Sequence, residues 1–403
     1  MKLGAISLGI VTGVGGYLDI SALVTSAQAG ALFGHQLIWA VLVGGLCAAA
    51  LCEQGGRLAA VSGRTVSDAI RERFGFRYHF VLFVVVTLVT LAILAIEIGG
   101  VCVALEFVTG VAFAWWALPV AFVCWLILWK GDFAFVQNGV SALSLVTVCF
   151  VVAAFLLHPD WIAVARGLVP TLPDHDRARY WFLVSIVIGA SIAPYLFLFY
   201  SAGAIEDRWT VEDLGVNRFV AWAGMGFGSL IAAAVVVVAA TVLLPLGVQV
   251  DHYSQLGLLM IDAMGRWGFV LLVIALAVAC LGSAVEVALV LAYMTAQGFG
   301  WAASQDAQPR RNARFAAVYT AALLAGALPV VVGLEPIRVT TVSLALTAVT
   351  LPIAVLPFLF VMNDRSYLGE HTNGWFSNAI VVAIIGLAFV LAVVTIPLEF
   401  FGG

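Results

Sequence analysis

The chain has 403 residues, 64% of them apolar and 10% charged, with a formal net charge of −4. So few charges cannot cover a soluble globule, which makes this a polytopic membrane protein and excludes a soluble catalytic or nucleic-acid-binding domain. The small net charge implies no charged partner beyond the bilayer and its solute, and no phosphate loop, zinc-finger spacing, nucleophile–base pairing or cofactor motif occurs.

Eleven predicted spanning helices cover approximately 3–33, 36–61, 79–108, 112–130, 136–157, 180–206, 217–244, 265–299, 311–333, 337–362 and 376–398. Each is long enough for a hydrocarbon core of about 30 Å. They form a single integral membrane domain over 1–403, and the sequence after Met1-Lys2 lacks a cleavable leader pattern. With the N-terminus inside, 13 of the 18 Lys and Arg residues fall on the inner side. The positive-inside rule then places the N-terminus in the cytoplasm and the C-terminus outside, as expected for a bacterial cytoplasmic (inner) membrane protein.

The first span contains Gly15-Gly16-Tyr17-Leu18-Asp19-Ile20-Ser21-Ala22, and Asp19 is the only charged residue between Lys2 and Glu53. A carboxylate near the bilayer centre costs roughly 2.5–3.5 kcal/mol on insertion scales. Glycine and small polar neighbours loosen the helix and release backbone carbonyls. A costly charge at a weakened point is what a discontinuous transporter helix carries. The structural alternative pairs Asp19 with a buried Arg or Lys for packing alone.

Further along, Arg57 to Arg77 carries a helical charge pattern, with Asp68 and Arg71 three apart, and reads as a connecting turn or short helix. His175 stands between Asp174 and Asp176 in a proline-containing segment; a solvated loop is the simpler reading than a metal ligand. Residues 245–265 alternate polar and apolar types and predict a short surface helix. In the sixth span, Gly189-Ala190-Ser191-Ile192-Ala193-Pro194-Tyr195 predicts a helix break near Ala190, because Pro194 removes a backbone donor. Breaks in the first and sixth spans, five helices apart, are the trace of two five-helix inverted repeats, here about 3–157 and 180–362, with 376–398 as an extra helix.

Other embedded acids are Glu53, Glu97 and Glu286, with Glu106 near a helix end. Glu97, followed by Gly99-Gly100, fits either a proton-carrying or gating role or a structural hydrogen bond. Glu286 has no embedded basic partner in sequence and fits a protonated resting state or an aqueous path. The six cysteines lie in apolar runs without paired motifs and read as small hydrophobes.

The sequence resembles the NRAMP family of divalent metal transporters, within the amino acid–polyamine–organocation superfamily, over nearly its whole length. Asp19-Ile20-Ser21-Ala22 falls at the family's Asp-Pro-Gly-Asn motif, followed by Gln28-Ala29-Gly30-Ala31, Phe33-Gly34, Leu37-Ile38-Trp39 and Arg57-Leu58. Gly189 to Tyr195 falls at its Ala-x-x-Met-Pro-His motif, and Leu351-Pro352, Val355-Leu356-Pro357, Asp364-Arg365 and Leu368-Gly369 at its tenth helix and exit. The resemblance implies a leucine-transporter-like bundle of about eleven transmembrane helices, all α, with helices one and six broken.

The resemblance also implies a metal site and marks where this chain departs from it. Asp19 is retained and Ala190 stands at the carbonyl position, but the family's Asn is Ala22 and its Met is Ala193. Without a thioether, oxygen ligands favour hard cations, and two alanines leave room for an ion that keeps its waters. Mg²⁺ is therefore the expected substrate, as in the family's magnesium-transporting branch, with Mn²⁺ next. The helix-three Asp aligns with Leu94 while Glu97 is kept, and the helix-six histidines align with Tyr195 and Tyr200. A phenol titrates near ~10, so transport is expected to be weakly or not proton-coupled. The competing expectation keeps the fold and makes it a permease for a small organic solute, an amine or amino acid whose cation meets Asp19. A non-transporting sensor or assembly subunit is the third.

Overall fold

The computed structural model describes residues 19–401 apart from Asp174 and Gln308. The predicted first half of the opening span, including Gly15 to Leu18, lies outside the described residues. In chain order the main helices are α1 Ile20–Phe33, α2 Ile38–Ser62, α3 Val66–Thr109, α4 Ala117–Lys130, α5 Phe133–Ser144, α6 Cys149–Leu156, α7 Trp161–Arg166, α8 Arg177–Ser191 and α9 Pro194–Glu206. Then come α10 Leu214–Leu246, α11 Ile261–Phe299, α12 Ala313–Val331, α13 Pro336–Met362, α14 Arg365–Leu368 and α15 Trp375–Phe401. No strand occurs among the described residues.

Eight helical stretches among the described residues are long and apolar enough to cross a membrane. One of them, Ile20–Ser62, is divided by the 3₁₀ turn Gly34–Leu37, and two shorter apolar helices, Thr350–Met362 and Trp375–Val390, follow. Together these accommodate the eleven predicted spans. Within α3, Gly75 adopts φ 81°, a left-handed conformation open to glycine, and sets off a short helix from residue 66. That is the predicted short connecting helix, and Arg71 pairs with Asp68 at 3.5 Å within it.

One expectation is corrected by burial. The segment after α10 forms a 3₁₀ helix, Tyr253–Leu258, but Leu256, Leu259 and Met260 are fully buried and Tyr253 is 7% exposed. Most of its apolar residues tuck into the bundle while Leu258 stays exposed, so it packs as part of the bundle's edge and not as a helix lying free on the surface.

The broken helix α8–α9 lies at the centre: 94% of its most apolar window is buried, against 28% for the Phe113–Lys130 helix at the rim. Helix α1 packs on α8 and α10, α2 packs on α8, α9 and α10, and α11 packs on α3 and α9. Lipid tails are as apolar as leucine, so close backbone approach rather than apolar burial drives such contacts. Gly55 lets α2 approach α9, where an added Cβ would lie 3.0 Å from the Phe197 carbonyl. Leucines, phenylalanines and tryptophans such as Trp115, Phe122, Phe135 and Phe389 remain exposed on the outside, as a lipid-facing surface requires.

Candidate functional site at two helix breaks

The site grows from the backbone. Asp19 is extended (φ −72°, ψ 174°) and caps α1, its Oδ1 accepting from the Ala22 N–H at 2.7 Å. The carboxylate therefore sits at the positive end of a helix dipole, in the centre of the protein, 3% exposed. The cap uses one oxygen and leaves further lone pairs for a cation.

The break in the sixth predicted span falls at Ile192–Ala193, two to three residues beyond Ala190, near which the sequence predicts it. Helix α8 runs through Ala190 to Ser191; Ile192 (φ −115°, ψ 38°) donates to Gly189 O at 3.3 Å, and Ala193 is extended at φ −61°, ψ 132°. Pro194 opens α9 as its first residue, where a missing N–H costs nothing, and it forces the residue before it out of the helical region. The shift leaves the logic of the Ala190 carbonyl intact, since its partner one turn on would be Pro194, which has no N–H to give. Ala22, Ala190 and Ala193 are all buried.

Glu97 is fully buried on α3. The Ile20 amide, the Cys280 thiol and the Ser283 hydroxyl surround its carboxyl group, and none reaches it in hydrogen-bonding geometry. Gly100 brings α3 this close: a Cβ there would sit 2.5 Å from Cys280 Sγ and 2.6 Å from Ile20 Cδ1. Glu286 on α11 is 2% exposed, and neither of its oxygens has a hydrogen-bond partner among the described residues. Asp19 acts on it electrostatically, and Tyr195 lies within the fields of Asp19, Glu286 and Glu97. The structure thus brings Asp19, Glu97, Glu286 and Tyr195 together.

Two other predicted residues sit elsewhere. Tyr200 is buried closer to the α2–α10 contact, where its hydroxyl donates to Asn217 O at 3.3 Å and its ring meets Trp209 edge-on. Glu53 is not a lone embedded acid: Arg57 pairs with it at 3.4 Å, one helical turn on. The His175 ring is exposed and stacks on Phe33 at 5.4 Å, in keeping with a loop.

Sequence reasoning missed Cys280 and Ser283 as neighbours of Glu97, and it missed Glu206. The Glu206 carboxylate accepts from Tyr293 Oη at 2.8 Å, the Gln305 N–H at 2.9 Å and Ser304 Oγ at 3.1 Å. It also missed a clamp in which Arg57 donates to Asn373 Oδ1 at 2.6 Å and to His371 O at 3.1 Å, while Asn373 donates to Gln54 at 3.0 Å. The Cys280–Ser283 spacing of three is the one signal that places two of these on one helix face.

No Lys or Arg is buried among the described side chains. The three central carboxyl groups therefore share one low-dielectric neighbourhood without a protein cation. Nor do they close into a cage, since no group of three or more His, Cys, Asp or Glu side chains converges to hold a metal among the described residues.

A helix that opens on a buried carboxylate beside an interrupted helix, inside an all-helical membrane bundle, fits the leucine-transporter fold class. Solved structures support that class at the level of fold: MhsT in complex with L-phenylalanine superposes with a TM-score of 0.64 at 13% identity, covering 99% of this chain and 98% of that one. The chain belongs to the Nramp family, natural resistance-associated macrophage protein-like, whose model matches residues 9–397. A divalent metal cation transporter, MntH, of Deinococcus radiodurans is 26% identical over 390 residues, 92% of this chain and 86% of the relative. The Latilactobacillus sakei MntH is 28% identical over 206 residues, 50% of this chain and 45% of that protein. The manganese transporter of Eremococcus coleocola, solved with an aromatic bis-isothiourea substituted compound, gives a TM-score of 0.82 at 20% identity, covering 99% and 88% of the two chains.

Proposed function

We propose that the protein is a secondary-type transporter of divalent metal cations that works by alternating access, with Mg²⁺ preferred and Mn²⁺ next. One observation carries the reading: Asp19, Glu97 and Glu286 are buried together with no buried Lys or Arg among the described side chains. Uncompensated carboxylates in a low-dielectric interior are strongly unfavourable, and a divalent cation is the solute that offsets them best. The family and the names of its relatives, divalent metal cation transporters and a manganese transporter, favour the same solute.

Asp19 is the principal ligand, and the Ala190 carbonyl the second. At the altered positions, Ala22 and Ala193 offer no side-chain donor, so the rest of the coordination falls to backbone oxygens and water. Mg²⁺ holds its waters more tightly than the softer ions do, which suits this sparse site. Tyr195, in place of a titrating imidazole, and Tyr200, engaged with Asn217, make poor proton carriers, so transport is weakly coupled or uncoupled. The excess of Lys and Arg on one side, with bacterial relatives, favours a cytoplasmic membrane with the N-terminus inside.

Calorimetric titration of the purified protein with MgCl₂ and MnCl₂ tests the reading. Saturable binding of both ions, lost in Asp19→Ala, is expected. Binding of an amino acid or amine without any metal binding would replace it with the organic-solute reading.

A further inference from the structure

Glu286 has no place in the family motifs quoted above, yet its surroundings are specific. It is 2% exposed, and both oxygens lack a hydrogen-bond partner among the described residues. Three helices other than its own bring groups into its field: Asp19 from α1, Cys52 from α2 and Tyr195 from α9. Those helices surround it, so the carboxyl group faces the interior of the bundle and not a lipid-facing seam.

A structural carboxyl group buried this deeply is held by an arginine or lysine, or donates its own proton to an acceptor. Glu286 does neither. On α11 it follows Cys280 and Ser283 at steps of three residues, each rising about 4.5 Å and turning about 60° around the helix, so Ser283 neighbours both Cys280 and Glu286. Cys280 and Ser283 lie beside Glu97, and the helix of Glu286 packs on the helix that Asp19 caps, where the Asp19 charge is felt at Glu286.

Charge balance then assigns Glu286 a task. A divalent ion on Asp19 alone leaves a net charge of +1 in a low-dielectric interior, and a second carboxylate cancels it. Of the two other acids, Glu97 is ringed by the Ile20 amide, the Cys280 thiol and the Ser283 hydroxyl, which leaves Glu286 the freer to meet the ion's water. The side chains at Ala22 and Ala193 stop short of any ion, and the three acids do not converge as direct ligands. An acid beyond ligand distance acts on the ion through the ion's own water.

We propose that Glu286 is the second acidic partner of the transported ion: it accepts hydrogen bonds from the hydration shell of a divalent cation held by Asp19, and so selects for an ion that keeps its waters. This inference rests on the divalent-cation reading above. It makes Glu286 a specificity-determining residue acting through water.

The test uses the purified full-length protein. Calorimetry with MgCl₂ and MnCl₂ is run on the unmodified protein, Asp19→Ala and Glu286→Gln. Removing an acid that positions bound water is expected to weaken Mg²⁺ binding by roughly 10–100-fold, the range of outer-shell changes at metal sites. Mn²⁺ binding should fall less, so the Mg²⁺-to-Mn²⁺ preference shrinks. Glu286→Gln binding Mg²⁺ within twofold of the unmodified protein, while Asp19→Ala binds none, overturns this inference and leaves the transport reading standing. Mg²⁺ binding by Asp19→Ala equal to that of the unmodified protein overturns the transport reading itself.

A second measurement needs no variant. Dicyclohexylcarbodiimide labels buried membrane carboxyl groups, and peptide mass spectrometry locates the adduct. Labelling of Glu286 that saturating MgCl₂ suppresses is expected; labelling that MgCl₂ leaves unchanged overturns the inference.

Discussion

Where α2 meets the α13–α15 connection, Arg57, Gln54 and Asn373 bind one another at 2.6–3.0 Å, and Glu206 accepts three hydrogen bonds nearer the 304–305 loop. Near Asp19 and the Ile192–Ala193 break, Glu97 and Glu286 are buried as deeply or deeper and make no hydrogen bond among the described residues. The contrast separates two uses of a buried polar group. A satisfied network fixes one arrangement of helices, and its removal costs stability. An unsatisfied carboxyl group is tolerated only where something from solution completes it. The clamp is architecture; the region of the unsatisfied acids is where we propose that the ion binds.

Replacing the charge while keeping the cap breaks the comparison most directly. Asp19→Asn retains an oxygen for the Ala22 N–H, and Asn caps helices about as well as Asp. Folding, followed by thermal unfolding in detergent, should be unchanged. Divalent-ion binding by calorimetry should fall by roughly 100-fold or more, as expected for loss of the sole side-chain ligand.

At the other pole, Arg57→Ala should behave in the opposite way. It removes charge-assisted bonds to Asn373 and His371 and the pairing with Glu53, a loss of about 1.5–3 kcal/mol. Denaturant or thermal melts should register it, with Mg²⁺ affinity close to that of the unmodified protein. A normal melt with lost binding would place Arg57 at the proposed ion site and erase the distinction.

Ala22→Asn combined with Ala193→Met sharpens the chemistry of that site. Added amide and thioether groups should raise Mn²⁺ or Cd²⁺ affinity relative to Mg²⁺ by roughly tenfold, read by competition binding. An unchanged ratio would mean that these two positions do not face the ion.

Arg73 and Asp364 provide the smallest effect. They pair at 3.1 Å, but Arg73 is half exposed, so Arg73→Ala should cost less than about 1 kcal/mol. The Ser366 hydroxyl and amide, and then Arg73, hold the Asp364 carboxyl below the usual carboxylate range. Its stabilising contribution is therefore present above that range and is lost as pH falls through it; a melt series at acidic pH checks the sign.

Much of this was legible in the sequence, and the failures have physical causes. Asp19 stood out because a lone charge in an apolar run is costly wherever the chain folds. The break in α8–α9 was legible from Pro194 but misplaced by two residues. Attention to the carbonyl that proline leaves unbonded points to Ala190, whereas the steric effect of proline on its predecessor fixes the bend at Ala193. Glu53 looked like Glu97 and Glu286 because all three lie in apolar runs; only Glu53 has an arginine one turn away, a pairing the i,i+4 spacing already contained. Glu206 and the Arg57–Asn373 bond join residues 87 to 316 positions apart, and no local pattern encodes such a meeting. Tyr253–Leu258 alternates like a surface helix, and its apolar side turned inward because the bundle offered it a place to bury.

Flux in proteoliposomes is the most direct test of the central claim. The protein is reconstituted with a trapped divalent-ion indicator and a trapped pH indicator, and Mg²⁺ or Mn²⁺ is added outside. Saturable entry of both ions, absent from Asp19→Asn vesicles and without acidification at a fixed proton-to-metal ratio, is the predicted result. Vesicles that remain closed to both ions yet accumulate an amino acid or amine in an Asp19-dependent way would contradict it.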